Sequence, residues 1–100
     1  MRLSAAETEM ILRCIRGQLG ADTQVMLFGS RLDDTARGGD VDLLVESATP
    51  VTLRQRALMT LALENAVGLP FDIVARQRGT PGSAFARIAR SRALLLENAA

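Results

Sequence analysis

Residues Gly29, Ser30 and Arg31 are followed, after the nine positions 31–39 counted from Ser30, by Asp40-Val41-Asp42, and Leu43-Leu44-Val45 extends the same apolar run. Residues two apart in a strand project to the same face, about 6.5 to 7 Å apart, so Asp40 and Asp42 point together where the backbone is extended. Two like charges beside apolar residues repel and lose hydration, and a divalent cation removes both penalties. Gly29 directly after an apolar run lets backbone amides approach a ligand, and Ser30 adds a hydroxyl donor at the same corner, enough to hold a phosphate. Asp72 follows Phe71 at the start of another apolar run with no adjacent helix to cap. Three carboxylates at strand edges can surround a two-metal site for phosphoryl chemistry, with Asp72 as general base or second-metal ligand. Each feature has a plainer reading: Asp40 as a turn cap, Asp42 and Asp72 as solvated strand ends, and Gly-Ser as an ordinary turn.

Composition removes other chemistries. The 100 residues contain no His and a single Cys, which excludes a Cys/His zinc site, a Ser-His-Asp triad and a Cys-His dyad. All twelve cations are Arg; without Lys there is no Schiff base, lysyl-nucleotide intermediate or Walker-type lysine. Carboxylate chemistry with a hard, oxygen-seeking ion such as magnesium survives. Cys14 lies among helix-patterned residues and reads as core.

Apolar residues are 48% of the chain and charged residues 23%, which indicates a globular protein. The length suits one domain over residues 1–100, with a core small enough that a partner would help. No apolar stretch approaches the ~20 residues that cross a bilayer, and Met1-Arg2-Leu3-Ser4 carries no apolar signal core, so the cytoplasm is the expected location.

The elements that must position the carboxylates can be read in order. Ser4-Ala5-Ala6-Glu7 is a capping box, and Met10, Ile11, Cys14, Ile15 and Leu19 recur at helical steps until Gly20. Val25–Phe28 reads as a buried strand, Ser30–Gly39 as a polar loop and Val41–Glu46 as a second strand. Thr49-Pro50 offers a cap and first-turn proline for a helix carrying Leu53, Ala57, Leu58, Leu61 and Ala62, closed by Gly68 and Pro70. Phe71–Ala75 is a third strand, and Gly79-Thr80-Pro81-Gly82 turns into a last helix with Phe85, Ile88, Ala89, Leu95 and Leu96 on one side. The fold class expected is α/β, in the order α-β-α-β-α-β-α, with helices on a small mixed sheet of about three strands.

The segments Leu27-Phe28-Gly29-Ser30-Arg31, Gly39-Asp40-Val41-Asp42-Leu43-Leu44-Val45 and Phe71-Asp72-Ile73-Val74 together resemble the nucleotidyltransferase superfamily of DNA polymerase beta, in particular the minimal nucleotidyltransferases. The resemblance implies magnesium-dependent transfer of a nucleoside monophosphate, most readily AMP from ATP, to a hydroxyl, with release of pyrophosphate. It implies that Gly29, Ser30 and Arg31 contact the nucleotide and that Asp40, Asp42 and Asp72 form the catalytic, metal-binding set. Gly39 departs from the Ser that relatives often carry before the first aspartate. Members of this size usually lack an acceptor-binding domain, and many pair with a separately encoded helical HEPN protein, the transferase acting as antitoxin and able to adenylylate a toxin tyrosine. This chain has no Tyr, so such an acceptor would come in trans.

Other classes compete. Between Ile73 and Leu96 stand Arg76, Arg78, Arg87, Arg90 and Arg92 and no acid, a basic stretch that suits a solvated face, triphosphate, nucleic acid or an acidic partner. Arg92 falls inside the apolar stripe of the last helix, able to snorkel or reach a phosphate. An RNA acceptor is allowed but not indicated, because net charge is +1 and the three Phe read as core. A calcium loop fails, since Asp40 would fall where glycine is required. A non-catalytic antitoxin or assembly subunit retaining the fold is the alternative function, and helices rich in Leu, Ala and Met favour a homo- or hetero-oligomer.

Overall fold

In the computed structural model, which describes residues 3–28, 40–79 and 94–96, the first helix begins where its side chains cap it. Ser4 accepts from the Glu7 amide and Glu7 accepts from the Ser4 amide, the reciprocal capping box expected, and α1 (Ala5–Leu19) runs to Gly20. Its buried line is Thr8, Ile11, Leu12 and Ile15; Cys14 and Leu19 pack at its margin. Burial pushes the Cys14 thiol up, away from the reactive thiolate.

Strands β1 (Gln24–Phe28), β2 (Val41–Ser47) and β3 (Phe71–Gln77) match the three apolar runs. β1 is antiparallel to β2, while β2 and β3 are parallel and joined by α2 (Leu53–Val67), as a parallel pair requires a crossover. A fourth strand, β4 (Leu94–Leu95), pairs antiparallel with β1, giving the order β3-β2-β1-β4.

Three expectations are corrected. The last helix does not extend through Leu95 and Leu96: Leu94 and Leu95 form β4, and the Leu96 amide donates to the Val25 carbonyl at 2.8 Å, because the open edge of β1 supplies hydrogen bonds that outweigh leucine's helical preference. Residues 83–93 of that helix, with Arg87, Arg90 and Arg92, lie outside the described residues, as do residues 29–39 between β1 and β2. The cap of α2 is Thr52, which exchanges hydrogen bonds with Gln55 in a second capping box, not Thr49. Most consequentially, α2 buries Met59 and Leu63, whereas the stripe chosen for it is outward: Leu53, Leu58 and Leu61 are 74%, 47% and 58% exposed, and Ala57 and Ala62 are exposed too.

Both helices cover one face of the sheet. Val25, Leu27, Val41, Leu43, Val45, Phe71 and Ile73 form a continuous core with Ile11, Leu12, Ile15, Met59 and Leu63. The intervening residues Met26, Phe28, Leu44 and Val74 make a smaller apolar cluster on the opposite face, as period-two alternation requires. Among the described residues no helix is long and apolar enough to cross a membrane.

The orientation of α2 can be checked by stability. Leu63→Ala should cost about 2 to 5 kcal/mol in denaturant unfolding, and Leu61→Ala only about 0.5 kcal/mol or less.

Candidate active site

The carboxylates sit on the sheet face opposite the helices, at the end where β2 and β3 begin. The Val41 amide donates to the Pro70 carbonyl at 2.8 Å, which starts the parallel ladder in the register Val41 to Phe71 and Asp42 to Asp72. Two aspartates that are 30 positions apart thereby become nearest neighbours on adjacent strands, on one face. Asp40 immediately precedes β2, two residues before Asp42 and near enough for its charge to act on the Asp42 carboxyl. Asp40 and Asp72 are exposed and Asp42 is half-buried.

Glu64, in the last turns of α2, helps define this end. Its Oε2 accepts from the Phe71 amide at 2.9 Å, clamping the helix to the start of β3, one residue before Asp72. Gly68 ends the helix in the left-handed conformation, φ 79°, and lets the chain turn into that strand. Sequence reading missed Glu64, because nothing local links a helical glutamate to an amide seven residues later.

β1 enters the site from the other side: its last residue, Phe28, is the register partner of Asp42. Gly29, Ser30 and Arg31 follow directly in the chain and lie outside the described residues. Of the basic stretch, Arg76 is the register partner of buried Glu46 and approaches it at 3.8 Å, and Arg78 pairs with Asp22 at 3.4 Å and also donates to the Asp22 carbonyl. Those two arginines are engaged in ion pairs, which sequence reading did not anticipate.

The electrostatics follow from the register. Asp42 loses hydration to partial burial, and Asp72 and then Asp40 add like charge, so its carboxyl is raised above the ordinary value of 3.8. A hard cation beside these oxygens would reverse the like-charge effect. Among the described residues no group of three or more His, Cys, Asp or Glu side chains closes into a site able to hold a metal by itself. Asp42 and Asp72 on one face are a pair of hard oxygen donors of the kind that holds magnesium, whose shell is commonly completed by waters and substrate phosphates.

A raised carboxyl pKa means that the folded state binds the proton more tightly than the unfolded chain. Asp42 therefore lowers stability as pH rises from 3.8 through its higher folded value; the penalty is absent below 3.8 and stays constant once both states are ionised. Without divalent ions, Asp42→Asn should raise the Tm at neutral pH, and the gain should vanish below the carboxylate range. Added magnesium should raise the Tm of the wild-type chain more than that of Asp42→Asn, measured by calorimetry.

No curated protein matches the chain. The family description "Nucleotidyltransferase domain" matches residues 9–94, a span that holds α1 from its second turn, all three main strands and the three aspartates. Because that match covers most of the sequence and its strands bring Asp42 beside Asp72, the chain belongs to the nucleotidyltransferase domain family.

Proposed function

We propose that this nucleotidyltransferase moves AMP from ATP to a hydroxyl of a macromolecular acceptor supplied in trans, with magnesium, and that it does so as the antitoxin of a pair whose toxin is a helical HEPN-type protein. The observation that carries the reading is the side-by-side placement of Asp42 and Asp72, with Asp40 two residues before Asp42. Magnesium supplies Lewis acidity at phosphate oxygens and neutralises charge on the leaving group. Asp40 and Asp42 would hold the ion, their repulsion lowered by it, and Asp72 would complete the set.

Asp72 is exposed at the start of β3 and free to face an incoming acceptor. In the transfer, the acceptor oxygen bonds to the α-phosphorus and its proton passes to Asp72. The bond from that phosphorus to the oxygen bridging to the β-phosphate breaks, and its electron pair leaves with pyrophosphate. Gly29 and Ser30 would contribute amide and hydroxyl donors to triphosphate oxygens, and Arg31 a further charge. A partner in trans is supported by Leu53, Leu58 and Leu61, large apolar side chains that α2 leaves exposed.

The test is incubation with magnesium and ATP labelled at the α-phosphate, in extract of the source cells. Wild type should label a macromolecule, and Asp40→Asn with Asp42→Asn should reduce labelling by about two orders of magnitude or more, the scale on which removal of a positioned electrostatic group acts. Labelling that survives the double variant would remove these carboxylates from the chemistry. In cells, Asp42→Asn should also abolish neutralisation of the toxin; neutralisation that persists would indicate an antitoxin acting by contact.

A further inference from the structure

A groove of about 470 Å³ runs beside Asp72. Leu53, Ala57 and Leu61 of α2 form one wall, and Phe71 and Ile73 of β3 the other, while Asp72 lines the same groove. Strand β3 is outermost in the sheet, and among the described residues no strand pairs with its outer side. The ladder identifies which backbone groups face outward. The Pro70 carbonyl points to β2, where it accepts from Val41, so in a parallel strand the alternate residues Phe71, Ile73 and Ala75 direct their N–H and C=O groups away from β2. Glu64 occupies the Phe71 N–H, which leaves the groups of Ile73 in the groove and those of Ala75 farther along the same strand edge.

We infer that this groove is a strand-addition site: an extended polypeptide segment of the acceptor pairs with the outer edge of β3, sets its apolar side chains against Leu53, Ala57 and Leu61, and brings a hydroxyl to Asp72. The segment supplies the hydrogen bonds that an edge strand lacks, and alternate side chains provide selection. Leu53 and Leu61 are eight residues apart on α2, roughly 12 Å, the span of about four extended residues. Charge selects against a nucleic acid here, since among the described residues lining the groove Arg56 is the one cation and is outnumbered by Glu64 and Asp72. Continuity with Asp72 links the groove to chemistry, and this use of it rests on the transfer reading above.

The full chain is titrated with a heptapeptide of alternating Val and Thr with one central Ser, at millimolar concentration, and separately with an RNA decamer, while amide hydrogen exchange is followed. The peptide should slow exchange at Ile73 and Ala75 by about tenfold or more, and RNA should leave both unchanged. Leu61→Glu, which charges an exposed position, should abolish the protection. Ala75→Pro, which deletes an outward N–H that an edge strand can spare, should weaken it at Ile73. Unaltered exchange with the peptide, or equal protection by RNA, overturns the site. Protection without labelling of the peptide from α-labelled ATP would leave the strand-addition site standing and count against transfer. Labelling of RNA in the extract without peptide protection would do the reverse.

Discussion

The in-phase pairing of two parallel strands is the constraint on which the rest of the molecule depends. Asp42 and Asp72 are neighbours only because Val41 opposes Phe71, and a slip of one residue in either strand would send one carboxylate into the helix-covered core. The register is held from both sides. On the core face Val41, Leu43, Val45, Phe71 and Ile73 are buried, and at the strand start the Pro70–Val41 and Glu64–Phe71 hydrogen bonds fasten the ends. Apolar burial of this kind is large compared with the repulsion of two partly solvated carboxylates. The fold can therefore hold like charges together.

The two faces of the sheet divide the work. One is consumed by α1 and α2 and supplies most of the core. The other carries the aspartates at one end, a small apolar cluster of Met26, Phe28, Leu44 and Val74 in the middle, and the Glu46–Arg76 pair farther along. The apolar middle matters for chemistry, since partial burial beside it withdraws water from Asp42 and raises the cost of its charge. The pair at the far end places a cation on a buried glutamate, the usual condition for burying such a group.

Helix α2 connects the site to the surface. Its inner line, Met59 and Leu63, anchors the crossover; its C-terminal Glu64 locates β3; and its outer leucines flank the groove that reaches Asp72. These outward leucines are the exposed apolar surface on which the proposed acceptor site rests.

Much of this could be read from residues alone. The capping box at Ser4, the three strands and the spacing of Asp40, Asp42 and Asp72 are local patterns whose physical reasons, caps and alternation, act over a few residues. The resemblance carried by Gly29-Ser30 and Asp40-Val41-Asp42 agrees with the family match. The inward face of α2 was not legible, because Leu53, Leu58 and Leu61 are as apolar as Met59 and Leu63 and periodicity cannot rank two stripes. Nor was β4, whose three-leucine run has no strand signature until the edge of β1 is available. By itself the sequence determined the capping of α1 and the three main strands, and it marked Asp40, Asp42 and Asp72 as candidates for the chemistry. Only tertiary structure decided that Asp42 meets Asp72, which arginines are tied up in ion pairs and which leucines face outward, since each depends on contacts between residues far apart in the chain.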